Sequence, residues 1–214
     1  ALWENGINID AYDMSHLHIH NCKISESTAE GLKINAVSRA YVTNCMFIEN
    51  TEEGVTIAGD WYDRHKFLNC YFGYNGKEGM YIYGQDTQVA NCDFLSNSNT
   101  STGTYASINC KSYRCIFANN IIDGLSKAKY AILFSSSNAD DCVAVGNVTK
   151  SHTTSEYYIG ADRVIINGLS TNAGNPGSTG VWNGNGIEGV VVRDTTNNKT
   201  YIYNDGGWSE IASS

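Results

Sequence analysis

One short phrase returns along this chain at an almost constant interval, and it limits the fold more than any other feature. Ser27, Asn50, Asn75, Asn97, Asn120, Asn147 and Asn172 follow one another at steps of 23, 25, 22, 23, 27 and 25 residues. Three residues before them stand Ile24, Phe47, Phe72, Phe94, Phe117, Ala144 and Leu169. Two residues earlier again come Cys22, Cys45, Cys70, Cys92, Cys115 and Cys142, with Asn167 in the seventh place. A fixed period of this length marks a repeat architecture in which each unit buries its apolar face only against its neighbours. Within each unit apolar residues alternate by two, the period of a strand and not of a helix. The phrase therefore predicts an all-β chain, a parallel β-helix of about seven coils.

A second ladder points the same way. Gly6, Gly31, Gly54, Gly79, Gly103 and Gly124 recur at steps of 25, 23, 25, 24 and 21, several of them opening strand-like runs such as Gly54-Val55-Thr56-Ile57. Glycine lets the chain swing from one sheet to the next without penalty from a β-carbon. Asparagine tolerates the left-handed bend, and stacked amides hydrogen-bond from coil to coil.

Composition agrees with this reading and excludes several function classes. The chain has a single proline in 214 residues, as expected where interior prolines would remove ladder donors. Its formal charge of −8 argues against nucleic acid and anionic membranes as partners. The seven cysteines fall about one per coil, with no Cys-x-x-Cys pair, so reduced core thiols are expected in place of disulfides or a metal site. A reducing compartment of synthesis, such as a bacterial cytoplasm, follows. Asn5-Gly6-Ile7-Asn8-Ile9 matches the second half of a repeat, so the sequence reads as a segment of a longer polypeptide. Three regions are expected: the β-helix over 1–172, a Gly/Asn-rich connection over 173–189, and a β-hairpin cap or oligomerisation segment over 190–214.

The Asn-Cys-x-Phe phrase, the asparagine ladder and the glycine-led strands resemble the pectin-lyase-like right-handed parallel β-helix superfamily over about residues 5–172. That resemblance implies the fold and leaves function open, because the superfamily includes lyases, hydrolases, epimerases and adhesins. The terminal hairpin with its Trp208 strand is similar to phage tailspikes and tail appendages. This second resemblance implies a virion tail protein, a homotrimer, and a host-surface glycan or teichoic acid as partner.

Candidate chemistry lies in carboxylates and aromatic rings. Glu30, Glu53, Glu78 and Asp123 each precede a ladder glycine, so they are expected to stack on one side of the rod. Neighbouring coils would set two such carboxyls about 5 Å apart, near the separation used by retaining glycosidases. Asp60-Trp61-Tyr62-Asp63-Arg64 interrupts the repeat, and Asp86 occupies the matching turn one coil on. Asp60, Asp63, Asp86, Glu53 and Glu78 are therefore the candidate catalytic acids. Trp61, Tyr62, Tyr81, Tyr83, Tyr105 and Arg64 are the candidate sugar contacts, since outward aromatic rings stack on sugar faces. The same tyrosines would equally suit a trimer interface. His16, His18 and His20 share one strand face, but no fourth ligand accompanies them, so a solvated or interface role is expected. No cofactor is expected. The leading reading is a tail appendage that binds and hydrolyses a host-surface glycopolymer. A non-catalytic adhesin or stalk, and a secreted polysaccharide lyase or epimerase, are the alternatives.

Overall fold

The structure, a computed structural model, describes residues 6–14, 16–58, 64–135, 139–161, 164–167, 170–172, 191–194, 199–204 and 207–213. Within them the chain winds through three parallel sheets in turn. The first sheet stacks Ile7–Met14, Leu32–Val37, Val55–Ala58, Met80–Ile82, Ile108–Cys110, Tyr130–Phe134 and Ser155–Ile159. The second stacks Leu17–His20, Ala40–Thr43, Lys66–Leu68, Gln88–Ala90, Ile116–Ala118, Cys142–Val145 and Val164–Asn167. The third stacks Lys23–Ser25, Met46–Ile48, Tyr71–Gly73, Asp93–Leu95, Ile121–Asp123 and Val148–Lys150. The expected all-β stack of parallel coils is what the chain forms. No helix occurs among the described residues.

Strand alternation sends every second side chain inward, so the core is a set of columns. In the third sheet Phe47, Phe72 and Phe94 lie in register and stack, with ring centroids 5.2 and 4.5 Å apart. Ile34, Ile57, Ile82, Cys110 and Phe134 form another column in the first sheet. Each buried phenylalanine contributes about 1.5–3 kcal/mol, and stacked rings add to it.

Corners between sheets are made by one residue in the left-handed conformation followed by an inward-pointing small or polar side chain. Asn21, Asn44, Asn69, Asn91 and Asn119 turn the second sheet into the third with φ of 54–55°. Behind four of them sits a cysteine: Cys22, Cys45, Cys70 and Cys92. Glu26, Glu49, Tyr74 and Ser96 turn the third sheet into the first, each followed by Ser27, Asn50, Asn75 or Asn97. Asp86, Arg114 and Asp141 turn the first into the second ahead of Thr87, Cys115 and Cys142.

This geometry corrects the single ladders read from sequence. Asn50 and Asn75 are immediate neighbours, Nδ2 of the first donating to Oδ1 of the second at 2.9 Å, and Asn75 donates likewise to Asn97 at 2.9 Å. Asn120 and Asn147 also pair at 2.9 Å, but at a different corner. The Cys92 amide donates to Asn120 Oδ1 at 2.9 Å, which makes Asn120 the next member of the cysteine stack, 28 residues on. Cys115 and Cys142 likewise leave that stack for the corner between first and second sheets, since Gln88 pairs with Ile116 and Ile116 with Val143. The cause is a detour at 98–106, which lengthens one coil to the 28 residues between Met80 and Ile108. The glycine ladder slips with it. Ser107, not Gly103, stands above Gly79, where the Gly79 amide donates to its carbonyl at 2.9 Å.

At the far end Ser170–Asn172 pairs in parallel with Val191–Asp194, and Lys199–Asn204 and Gly207–Ser213 add antiparallel strands. Trp208 packs against the core from this sheet. The connection read as 173–189 lies outside the described residues.

Candidate functional site

The outer face of the first sheet gathers the most chemistry. Register places Lys33, Thr56, Tyr81, Asn109, Leu133 and Tyr158 in one outward column. Tyr81 and Tyr83 meet edge to face with centroids 5.1 Å apart, and the Tyr81 hydroxyl donates to that of Tyr83 at 3.0 Å. Lys111, one coil above, lays its ammonium 5.0 Å from the Tyr81 ring centre and 5.5 Å from that of Tyr83. The result is an aromatic platform with a cation on it, held by cation–π attraction.

Carboxyls line the edge where this sheet begins. The amides of Gly31 and Gly54 donate to the carbonyls of Glu53 and Glu78, so Glu30, Glu53 and Glu78 stand on successive coils as expected. Asp123 does not join them. It ends a third-sheet strand and pairs with Lys150 at 3.1 Å, displaced from the row by the lengthened coil. Glu78 is buried and accepts from Asn109 Nδ2 at 3.0 Å, and Asn109 Oδ1 in turn accepts from Ser135 Oγ at 2.8 Å. Lys77 binds Glu52 at 2.9 Å and reaches Glu53 at 3.9 Å. Burial pushes Glu53 up to about 7, with the neighbouring Glu78 adding to the effect against Lys77. Burial also raises Glu78, while the Asn109 amide opposes the rise. Two carboxyls on adjacent coils, one of them half-protonated near neutrality, form a pair able to give and take a proton.

Asp86 and Tyr105 fall elsewhere. Asp86 sits at the opposite end of the Met80–Ile82 strand and is held by Arg114 through contacts of 2.7 and 3.0 Å. The structure therefore does not bring it together with Glu53 and Glu78. Arg114 also faces Asp141, so this corner carries an alternating charge row. Tyr105 lies half-buried in the 98–106 detour, and Asn109, not Tyr105, stands above Tyr81. Arg64 is exposed. Asp60, Trp61, Tyr62 and Asp63 lie outside the described residues. His16, His18 and His20 bind the coil above: His18 stacks on Tyr41 at 5.1 Å, His20 meets Thr43 Oγ1 at 2.7 Å, and His16 meets Arg39 at 3.5 Å.

Asn109, Lys111 and Ser135 escaped sequence reading because the 28-residue step put them out of phase. A cysteine trio escaped for the same reason: Cys110, Cys115 and Cys142 bring three sulfurs within 4.8 Å of one another, all buried. Hydrogen bonds from the Cys110 and Cys115 thiols lower Cys142, whereas burial pushes Cys110 well up.

Residues 5–205 match the family described as the right handed beta helix region, and the chain belongs to that family. No curated protein and no solved structure matches it.

Proposed function

We propose, from a right-handed β-helix whose first sheet carries this aromatic and acidic face, a virion tail appendage that binds and hydrolyses a host cell-surface glycopolymer. The observation that carries the reading is the placement of Glu53 and Glu78 side by side at the edge of the Tyr81–Tyr83–Lys111 platform. Strands on adjacent coils lie about 4.8 Å apart, close to the roughly 5–5.5 Å carboxyl separation of retaining glycosidases. Glu53, raised to about 7, donates the proton to the leaving oxygen. Glu78, steadied in its charged form by Asn109, attacks the anomeric carbon, and Glu53 then deprotonates the water that frees the sugar. The tyrosine rings stack on the neighbouring sugars, and Lys111 suits an anionic polymer such as a teichoic acid. Exposed Ile116, Ile121, Val148 and Ile165 on the other two sheets support a homotrimer that covers them.

A second reading, a non-catalytic adhesin on the same face, draws on the contacts that already engage the acids: Glu78 with Asn109 and Glu53 with Lys77. Gel filtration of purified cell-wall polysaccharides and teichoic acids after incubation with the protein separates the two. Shortened polymer with wild-type chain, and intact but bound polymer with Glu53→Gln or Glu78→Gln, is the expected result. Asp60→Asn and Asp63→Asn run in parallel, and loss of cutting in either would move the catalytic pair to the interrupting loop. Polymer that stays bound and full-length with wild type leaves the adhesin; no binding to any polymer overturns the glycan reading. A light-scattering mass of one chain overturns the trimer.

A further inference from the structure

The cysteines do not all do the same thing. Cys22, Cys45, Cys70 and Cys92 lie one per coil at one corner, and no three of their sulfurs gather. Cys110 and Cys115 instead flank a single tight corner, five residues apart, and Cys142 descends from the coil above directly over Cys115. Cys110 stands in a column that otherwise holds Ile34, Ile57, Ile82 and Phe134, so a small thiol replaces a large side chain beside the other two sulfurs. The Sγ atoms of Cys110 and Cys142 are 4.0 Å apart, and both point at one acceptor, the Ser112 carbonyl, at 3.2 Å.

We propose that Cys110, Cys115 and Cys142 form a three-thiolate site for one soft monovalent metal ion, of the Cu(I) class. Three sulfurs each about 2.3 Å from a central ion in a trigonal plane lie about 4.0 Å from one another, the spacing the Cys110–Cys142 pair already has. Thiolates select soft ions. Zinc would want a fourth ligand, and the described cluster offers three, all shielded from water. Binding replaces thiol protons by the ion and releases them to solvent; copper enters and stays as Cu(I), and no sulfur is oxidised. Ligands from the end of the first sheet, the start of the second and the next coil would tie two coils together at the corner that follows the lengthened turn.

The test uses the whole chain, reduced and anaerobic, loaded with Cu(I) as its acetonitrile complex and challenged with a chromophoric Cu(I) chelator. One retained ion per chain is expected, with X-ray absorption showing three sulfurs at about 2.3 Å. Cys110→Ile, which restores the residue of its column and so keeps the fold, is expected to lose the retained ion, as is Cys142→Ser. Cys70→Ser, from the other stack, is expected to keep it. Loss of all copper to the chelator by wild type overturns the proposal, as does retention unchanged in Cys110→Ile. Equal retention of Zn(II) overturns the choice of a soft monovalent ion.

Discussion

The lower four coils and the upper coils of this solenoid use the same corner plan with different residues. Below the detour at 98–106, the turn from second to third sheet is Asn-Cys and the turn from third to first is closed by Ser27, Asn50, Asn75 and Asn97. Above it, the cysteine slot is filled by Asn120 and Asn147, and cysteine moves to the corner before the second sheet. The core changes likewise, from the Phe47–Phe72–Phe94 ring stack to Ile122 in the same column. On the outside of the second sheet, His18, Tyr41 and Lys66 give way to Ile116, Val143 and Ile165. Equal spacing in a sequence thus does not guarantee an equal place in the coil. What persists is the physical demand: a left-handed residue to turn, then a small or amide side chain to satisfy the buried backbone.

Three measurements break or sharpen this contrast. The largest effect is expected from Phe72→Ala, which empties the middle of the ring stack and costs about 3–5 kcal/mol, against about 0.5–1.5 kcal/mol for Ile122→Val in the upper part of that column. Urea unfolding of the two variants gives the difference directly, and equal losses would remove the special weight given to the stack. Next comes the amide pair. Asn75 is fully buried, donates to Phe47 O at 3.0 Å and Asn97 Oδ1 at 2.9 Å, and accepts from Asn50. Asn75→Ala strands several of these partners and is expected to cost about 2–3 kcal/mol, while Asn147→Ala, at a part-buried position, costs about 1 kcal/mol. Identical melting points for the two variants would show that the two amide ladders are energetically alike.

The third contrast is a pH dependence of the lower acidic row. Glu53 titrates near 7 when folded, against 4.5 as its ordinary value. Its raised value stabilises the fold fully below about 4.5, and that contribution is lost as pH rises through 7. Wild type should therefore lose about 2 kcal/mol between pH 5 and pH 8 that Glu53→Gln retains. Denaturation midpoints at the two pH values check this, and parallel curves for the two proteins would contradict the raised value.

Most of the fold was legible because stacking writes itself into sequence as alternation plus period. Ile24, Phe47, Phe72 and Phe94 are placed by their spacing alone, and the same period sets Glu53 and Glu78 side by side. What could not be read was the phase beyond residue 97. The interval from Asn97 to Asn120 is 23, a normal step, yet it joins two different corners, because a longer coil and a changed slot compensate for one another. Asp123, Tyr105 and Gly103 were misplaced for that one reason. Lys111 and Asn109 complete the face only across coils, and neither carries a local motif.

The 98–106 detour also shows how such a rod acquires new parts. Its extra residues bind among themselves, with Ser98 Oγ donating to the Ser101 carbonyl at 2.7 Å and the Tyr105 amide donating back to Ser98 Oγ at 3.2 Å. Met80 and Ile108 still pair across it as though nothing intervened. Corners of this molecule therefore act as grafting points, where a recognition loop can be exchanged or enlarged while the columns beneath it keep their packing.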